Sequence, residues 1–395
     1  MHFHRERLCI EGVGRGLRMI PAAFETFGVR RACTIAPYAL MPMFTWATMW
    51  LDDFFFPAYK RVDVERPVFI VGHPRSGTTF LHRSMTGTGD FASFRMWETL
   101  VPSLSARRLI GPIIHRLFAL YEKDMADAST YFDDGAHETS LDAVEEEELL
   151  FYPIFDTQFA ISFTPLAFDD REYLSLVYPE RARPRRREAS MHWLRECFQR
   201  QILASGRSRI VAKMPFSTMR ISSLLKAFPD AFVVYLVRSP LETIPSLLSL
   251  HRSFFAHRWG LETIPSERLE RYYRRRYHYM VALYRHFHDE WRRGVIPRSQ
   301  LLIVPYARVR SAIRDLVSEI AERADFRLSP RLAAELQRIH DRQAQRRATH
   351  TNRPLEDFGL SEAQVRADLA FVWEDFLLEG EGRASGGTMH PAGSG

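Results

Sequence analysis

The chain alternates between short apolar segments and longer segments in which apolar residues recur at helical spacing. Four short segments are rich in aliphatic and β-branched residues, namely 68–71, 209–213, 231–237 and 301–305. Segments of this kind are typical of strands that are buried on both faces of a parallel sheet. Because helical segments separate them, the pattern predicts an α/β fold with a central parallel sheet and helices on both faces.

Helical spacing also predicts the elements that cover this sheet. We expect helices over 104–132, 190–204, 241–250 and 309–323. The chain then divides into an apolar, helical extension at 1–60, one main domain at 61–379 and a tail at 380–395. The tail is rich in Gly and Ser, so we expect it to be disordered.

The extension contains an uncharged segment at 32–51. Its length would suffice to span a bilayer. Pro37 and Pro42 interrupt the segment, and Asp52 and Asp53 follow it directly, which weakens that interpretation. A hairpin that is buried or lies on a membrane surface is favoured instead. Plain burial against the main domain is the simplest alternative.

The composition supports a large hydrophobic core and indicates the redox state of the cellular compartment. The 395 residues are 46% hydrophobic and include 29 Phe, and the formal net charge is +6. Nearly all the cationic side chains are Arg, which suits phosphate and sulfate recognition. Cys9, Cys33 and Cys197 have no metal-ligand or disulfide spacing. We therefore expect a reducing, cytoplasmic compartment and no bound metal.

The sharpest chemical signal lies in residues 66–85, RPVFIVGHPRSGTTFLHRSM. An apolar strand is followed by a turn of glycine and small hydroxyl residues, and then by a helix. The amides and the dipole at the start of such a helix attract phosphate, so the sequence predicts an anion site. Gly72 and Gly77 keep the G-x4-G spacing of nucleotide-triphosphate loops, but Thr78 replaces the Lys of those loops. The cation lies upstream instead, at Arg75.

The sequence PRSGTT at 74–79 resembles the phosphosulfate loop of sulfotransferases, whose motif is close to P-[RK]-S-G-T-[TS]. The resemblance implies the sulfotransferase variant of the P-loop fold. It also implies that 3′-phosphoadenosine 5′-phosphosulfate (PAPS) is the co-substrate, with its 5′-phosphosulfate in this loop. The binding residues that it implies are Arg75, Ser76, Gly77, Thr78 and Thr79.

A second motif matches the same family farther along the chain. Arg238 follows the third apolar segment, and Ser246 lies eight positions later in the next predicted helix. Sulfotransferases hold the 3′-phosphate of the donor with an Arg and a Ser at this spacing. The resemblance therefore assigns that contact to Arg238 and Ser246, whose guanidinium and hydroxyl groups can donate to a phosphate.

A third motif, KMP, begins at Lys213. It is similar to the K-[DS]-P turn of the tyrosylprotein and broad bacterial sulfotransferases, although Met214 replaces the commoner Asp or Ser. The resemblance implies that Lys213 approaches the bridging oxygen and neutralises charge as the nucleotide leaves.

Sulfuryl transfer also requires a base that takes the proton of the attacking hydroxyl. In the tyrosylprotein branch this base is a Glu downstream of the phosphosulfate loop, and the sequence WET at 97–99 resembles that site. The resemblance implies Glu98 as the base, because partial burial among apolar neighbours would raise the pKa of this carboxyl. Glu145 and Glu146 are the alternatives. Helix capping or a salt bridge would be the ordinary structural role of Glu98.

Together these motifs predict a PAPS-dependent sulfotransferase that acts by direct in-line transfer on a hydroxyl group, or less favourably on an amine. Aromatic residues at 151–168 and the apolar segment at 32–51 favour a lipid, sterol, polyketide or similar alcohol, with a sugar or a peptide tyrosine as alternatives. Two other functions stay open. Thr78 stands where nucleotide-triphosphate loops have a Lys, which argues against a P-loop kinase or NTPase. The basic clusters at 181–187 and 342–347 are short and lack aromatic residues, which argues against a polyanion-binding or nucleic-acid-binding protein.

Overall fold

One parallel sheet lies at the centre of the protein. A computed structural model describes residues 2–111, 143–343 and 352–377. Within these ranges, four strands form the sheet in the order β2-β1-β3-β4, and all neighbouring strands are parallel. The strands are β1 (Val68–Gly72), β2 (Val211–Lys213), β3 (Phe232–Val237) and β4 (Leu301–Pro305). The predicted α/β fold with a parallel sheet is confirmed.

The strands end close together along one edge of this sheet. The end of β2 lies opposite Ile70, and Gly72 lies opposite Leu236 in β3. Val237 at the end of β3 lies opposite Pro305 at the end of β4. In open parallel sheets, ligands bind at the edge formed by the carboxyl ends of the strands. The register therefore places the segments that follow the four strands next to one another.

Helices precede, separate and follow the strands. In chain order they are α1 (His2–Phe27), α2 (Val29–Ile35), α3 (Met41–Phe55), α4 (Thr78–Thr86), α5 (Met96–Leu100), α6 (Leu174–Val177), α7 (Pro184–Ser205), α8 (Ile221–Ala227), α9 (Pro240–Trp259), α10 (Ser266–Arg292), α11 (Tyr306–Ser311), α12 (Ile313–Arg323), α13 (Pro330–Gln343) and α14 (Glu362–Phe376).

The predicted helices at 190–204 and 241–250 are confirmed as parts of α7 and α9. The helix predicted at 309–323 is divided into α11 and α12, because the backbone of Ala312 is not helical. Residues 104–111 of another predicted helix are helical. The rest of that helix, 112–132, and the tail at 380–395 lie outside the described residues.

Helices cover both faces of the sheet, as predicted. Successive side chains of a strand point to opposite faces. Phe69 of β1 therefore joins the apolar cluster that includes Phe198 of α7, together with side chains of α9, α10 and α14. Its neighbour Ile70 joins the cluster on the other face, which includes Leu81 of α4 and Leu316 of α12.

The N-terminal helices are attached to α7 through buried ion pairs. Arg5 of α1 donates to Glu196 of α7, and its Nη1 lies 2.8 Å from Oδ2 of Asp53 in α3. Arg200 Nε of α7 donates to Oδ2 of Asp52 at 2.7 Å. Removing one partner of a buried ion pair leaves an uncompensated charge, which is strongly destabilising. These contacts therefore hold α1 and α3 against the main domain. The predicted domain boundary near residue 60 stays a prediction.

The uncharged segment 32–51 contains part of α2, a 3-10 helix at Ala36–Leu40 and most of α3. Its inward side chains, such as Thr45 and Thr48, are buried, whereas Trp46 and Trp50 are exposed. Among the helices in the described ranges, none combines the length and the apolar character needed to cross a membrane.

Candidate active site

The four strand ends bring together residues that lie far apart in the sequence. The loop 73–77 follows β1, Lys213 ends β2, Arg238 follows β3 and Tyr306 follows β4. The guanidinium of Arg238 lies 4.1 Å from the centre of the Tyr306 ring. Lys213 Nζ donates to Thr79 Oγ1 in the first turn of α4 at 2.9 Å. Every strand of the sheet therefore contributes to one site.

Two glycines give the loop after β1 its shape. Gly72 has a φ of +131°, and a Cβ there would lie 2.3 Å from the carbonyl oxygen of Leu236 in β3. Gly77 has a φ of +94°, and a Cβ there would lie 2.9 Å from the ring of Tyr306. Both the backbone conformation and the close packing exclude a side chain at these positions. The G-x4-G spacing thus has a structural reason.

The loop offers donors to an anion. Gly77 is the N-cap residue of α4, and the first amides of a helix have no partner within the helix. The hydroxyl of Ser76 is buried and has no hydrogen-bond partner among the described residues. Arg75 has a φ of +74°, an uncommon conformation for a residue other than glycine that is enriched at functional sites. The cradle therefore fits a phosphate or sulfate group.

Arg238 connects this loop to the start of α9. Its Nη1 donates to the carbonyl oxygen of Arg75 at 3.0 Å, and its Nη2 donates to Oε1 of Glu242 at 2.9 Å. The Nε of Arg75 in turn donates to Oγ of Ser246 at 3.0 Å. The Nε of Arg238 is buried and has no hydrogen-bond partner in the described part of the chain. The structure thus brings Arg75, Arg238 and Ser246 together, while their assignment to the 3′-phosphate stays a prediction.

Lys213 is buried between the loop helix and an acidic segment. Only 3% of its surface is exposed. Besides its bond to Thr79, its Nζ lies 2.8 Å from Oε2 of Glu146. The ammonium group therefore has a fixed position beside the first turn of α4, and Lys213 is not a solvated surface lysine.

Two carboxylates of the acidic segment hold the turn that follows β2. Glu147 Oε2 accepts the backbone N–H of Lys213 at 2.8 Å, and Glu148 Oε2 accepts the backbone N–H of Ser217 at 2.9 Å. Both side chains are buried. Burial raises the pKa of the Glu148 carboxyl to about 7, although the nearby Arg220 opposes this shift. These two residues position Lys213 and its turn.

Glu146 is the carboxylate of this segment that contacts the Lys213 ammonium. Burial raises its pKa, the charge of Lys213 lowers it, and the charges of Glu145 and Glu147 raise it further, so that the net direction is upward. Its side chain remains 15% exposed. Glu146 therefore combines raised basicity with some accessibility. Its neighbour Glu145 instead accepts from Arg83 Nη2 at 3.1 Å.

Glu98 lies at the start of α5. Its Oε2 accepts the backbone N–H of Arg95 at 2.8 Å and the side-chain amide of Gln201 at 3.4 Å. Its Oε1 lies 3.6 Å from Nη1 of Arg107. These contacts cap the helix and pair the charge. Among the contacts of the described residues, none joins Glu98 to Lys213 or to the loop. Its assignment as the base stays a prediction.

His73 is a neutral packing residue at the base of the loop. Burial lowers its pKa to about 4. Its Nδ1 lies 2.6 Å from the carbonyl oxygen of Pro74. Since a carbonyl only accepts, Nδ1 carries the proton. The imidazole ring stacks on Tyr284 with a centroid distance of 4.7 Å.

Three site residues were not identified from the sequence. Tyr306 packs on the loop and on Arg238, as described above. Thr218 Oγ1 accepts the backbone N–H of Gly72 at 3.0 Å, and the hydroxyl of Tyr284 donates to the carbonyl oxygen of Arg238 at 3.0 Å. Tyr306 directly follows a predicted strand, and that position could have indicated it. Thr218 and Tyr284 come from a 3-10 helix and from the middle of α10, where no such signal exists.

Aromatic side chains lie close to the Lys213 turn. Phe216, three residues after Lys213, packs edge-on against Phe159 with a centroid distance of 5.2 Å. Phe159 also stacks with Phe163 at 5.6 Å. Both of these residues belong to the aromatic segment 151–168 and are partly exposed. They provide an apolar surface near the site.

Comparison with known proteins agrees with this geometry. A family model described as "Sulfotransferase family" matches residues 67–330. The omega-hydroxy-beta-dihydromenaquinone-9 sulfotransferases Stf3 of Mycobacterium bovis and Mycobacterium tuberculosis are each 28% identical to this chain over 200 residues. Those residues are 50% of this chain and 48% of each relative. The match therefore spans about half the length of these curated relatives.

Solved structures share the fold. The sulfotransferase STF9 from Mycobacterium avium has a TM-score of 0.65 and 19% identity, covering 92% of this chain and 97% of that one. The sulfotransferase STF1 from Mycobacterium tuberculosis has a TM-score of 0.64 and 19% identity, covering 91% and 92%. The shared architecture includes nearly all of both structures.

Proposed function

Because the chain belongs to the sulfotransferase family, we propose that it transfers the sulfuryl group of PAPS to a hydroxyl group of a hydrophobic acceptor. The observation that carries this proposal is the cluster of Arg75, Ser246 and Arg238 beside the N-terminus of α4. This cluster offers donors for two separate anionic groups. A nucleotide with a 5′-phosphosulfate and a 3′-phosphate matches that arrangement.

The loop residues would hold the 5′-phosphosulfate of the donor. Arg75 offers its guanidinium, and Ser76, Thr78 and Thr79 offer hydroxyl groups. Gly77 allows the backbone to approach the anion. Among the described residues, the buried hydroxyl of Ser76 has no partner, which supports this assignment. The Nε of Arg238 likewise has none, which supports its proposed contact with the 3′-phosphate. Buried polar atoms normally have a partner, and an anion would supply one.

Lys213 would neutralise negative charge that develops on the departing phosphate. Its buried ammonium beside Thr79 is preorganised for this task. PAPS, when bound, supplies the sulfuryl group. In the overall transfer, one S–O bond to the phosphate breaks and one S–O bond to the acceptor oxygen forms, while the acceptor proton passes to a base.

For this base, the geometry favours Glu146 over Glu98. Glu146 contacts Lys213, which contacts the loop, and its pKa is raised. Glu98 is engaged in a helix cap and lies near Arg107. A carboxylate with a raised pKa is better matched to accept a proton near neutral pH. We therefore propose Glu146 as the general base, with Glu98 as the alternative.

The acceptor is proposed to be a lipid-like alcohol. The partly exposed rings of Phe159 and Phe163 lie near the Lys213 turn and provide apolar contact surface. The relatives named Stf3 are called sulfotransferases of a hydroxylated menaquinone, which is consistent with such an acceptor. Because an alcohol of this kind dissolves in membranes, we also propose that the chain works at a membrane surface, through its apolar N-terminal segment.

Parallel titration of the purified full chain with PAPS and with ATP and magnesium tests the donor assignment. We expect saturable binding of PAPS and of 3′,5′-bisphosphoadenosine, and much weaker binding of ATP, because Thr78 replaces the Lys of nucleotide-triphosphate loops. Binding of ATP in preference to PAPS would overturn the proposal in favour of a kinase or NTPase. Binding of nucleic acid or heparin without either nucleotide would favour a polyanion-binding protein.

A further inference from the structure

Helix α3 has a reversed distribution of polar and apolar side chains. Its outward side chains are apolar, and we call this surface, formed by Met43, Phe44, Trp46, Trp50, Phe54 and Phe55, the α3 face. The inward side of the same helix carries the polar residues Thr45, Thr48 and Asp52 beside Met49, and all four are buried. A surface helix of a globular protein normally has the opposite arrangement. The α3 face is therefore left uncovered by the described part of the chain.

Exposed apolar side chains are concentrated in this part of the chain. Twelve of the sixteen large hydrophobic side chains that are exposed in the described residues lie between residues 10 and 55. Within the α3 face, Trp50 is 52% exposed and Phe54 is 74% exposed. Single exposed hydrophobic residues are common on protein surfaces, but a contiguous apolar patch marks an interaction site.

The exposed charges that flank α3 in the sequence, from residue 28 to residue 62, are basic, with the exposed acids Glu25 and Asp63 beyond them. Between residues 28 and 62, the exposed charged side chains are Arg30, Arg31, Lys60 and Arg61. The only acids of this segment are Asp52 and Asp53, which turn inward to pair with Arg200 and Arg5. Farther along the chain, Arg108 is exposed and lies 4.4 Å above the ring of Phe56, at the end of α3. An apolar surface with a basic border complements a lipid bilayer, whose interior is apolar and whose anionic head groups are negatively charged.

We propose that the α3 face docks on a bilayer that contains anionic lipids, with its aromatic rings at the level of the head groups. Trp is enriched at membrane interfaces, because its ring is apolar while its N–H can still meet water or head groups. Arg30, Arg31 and Arg61 contact the lipid phosphates, whereas Lys60 is paired with Asp53 at 3.0 Å. This inference deepens the proposed membrane-surface function, on which it rests. It identifies the surface that docks and the class of lipid that receives it.

Flotation of the full chain with lipid vesicles tests the inference. We expect binding to vesicles of phosphatidylcholine and phosphatidylglycerol, and weaker binding to phosphatidylcholine alone. The double variant Trp50→Ser with Phe54→Ser should weaken binding to both kinds of vesicle. The loss of each ring should lower the affinity by roughly tenfold or more. Leu174→Ser is the matched control, because Leu174 is 56% exposed and lies outside the α3 face. Arg30→Ser and Arg31→Ser should each reduce binding to the anionic vesicles by about fivefold.

Binding of 3′,5′-bisphosphoadenosine, measured on the same preparations, shows that each variant is folded. If the parent chain binds this nucleotide but stays free of anionic vesicles, the docking is overturned while the proposed sulfotransferase activity is left intact. A chain that binds vesicles but neither PAPS nor the bisphosphate overturns the activity alone. Light scattering supplies the remaining outcome. If the chain forms a dimer that the Trp50→Ser and Phe54→Ser variant dissociates, a second copy covers the α3 face and the lipid assignment is wrong.

Discussion

The Nζ atom of Lys213 lies 2.8 Å from Oε2 of Glu146, and both side chains are largely withdrawn from water. The same ammonium group donates to Thr79 in the first turn of α4. A cation and a proton acceptor therefore share one position beside the loop. The proposed transfer uses both groups, a proton acceptor for the attacking hydroxyl and a cation for the leaving phosphate.

The first prediction concerns Glu146. Glu146→Gln keeps the volume of the side chain and removes its basicity. If Glu146 accepts the proton of the acceptor, the turnover rate should fall by roughly 10²–10⁴, which corresponds to about 3–5 kcal/mol of transition-state stabilisation. The affinity for PAPS should change little. Release of 3′,5′-bisphosphoadenosine in the presence of hydrophobic alcohols measures the rate.

Glu98→Gln is the matched comparison, because it makes the same chemical change at the other candidate base. The amide oxygen of Gln can still accept the N–H of Arg95 and cap α5, so this variant should fold and keep most of its activity. The reverse result, with full activity in Glu146→Gln and a large loss in Glu98→Gln, would identify Glu98 as the base.

The second prediction concerns the loop. Arg75→Ala should raise the dissociation constant of 3′,5′-bisphosphoadenosine by roughly ten- to a hundredfold, because charge-assisted hydrogen bonds to the nucleotide are lost. Arg207→Ala is the control, since Arg207 is exposed in the turn before β2, at the opposite end of the strand from the site. Calorimetric titration measures both. Equal affinity in the Arg75→Ala variant and the parent chain would show that Arg75 does not bind the nucleotide.

The sheet could be predicted from the sequence because its strands are buried on both faces. A segment such as Phe232–Val237 is apolar at every position, and no competing helical pattern overlaps it. Helix ends were less predictable. The backbone of Ala312 is not helical between α11 and α12, and no Gly or Pro marks this break in the sequence. The outward apolar face of α3 could also not be predicted, because the sequence of an apolar helix does not reveal which of its faces is covered.

The positions of the candidate site residues were predictable where these residues lie at the end of a strand or shortly after it. Arg75, Lys213 and Arg238 all lie at strand ends, and the parallel register brings them together. The partner of Lys213 was not predictable in the same way. Glu146 lies in a run of four acids, and only the folded arrangement distinguishes it from Glu147 and Glu148, which accept backbone N–H groups.

The third prediction concerns the preference for the 3′-phosphate. Ser246→Ala and Arg238→Ala should each reduce the preference for 3′,5′-bisphosphoadenosine over adenosine 5′-phosphate, and Arg238→Ala should have the larger effect because it removes a charge. Arg238 also donates to the Arg75 carbonyl, so its variant can weaken both nucleotides. Ser246→Ala makes no change to that contact, but it removes the acceptor of Arg75 Nε. A preference that survives in both variants would place the 3′-phosphate elsewhere.

The fourth prediction concerns pH and Glu148. Burial raises the pKa of this carboxyl from 4.5 to about 7 in the folded chain. Between these two pH values the unfolded chain loses a proton that the folded chain keeps, so the free energy of unfolding falls as pH rises. Glu148→Gln has no proton to lose. The stability of this variant relative to the parent should therefore increase by up to about 3 kcal/mol between pH 4.5 and a pH above 7.

Urea denaturation across this pH range measures the difference between the two chains. Other carboxylates, such as Asp156, also change the stability with pH, because surrounding arginines hold its pKa well below the usual range against the effect of burial. Their contribution cancels when the variant is compared with the parent at each pH. Glu356→Gln, at an exposed position, controls for the loss of one carboxylate. If the difference between Glu148→Gln and the parent chain stays constant with pH, the pKa of Glu148 is the same in the folded and the unfolded chain. The Arg220 charge and the Ser217 amide then balance the effect of burial.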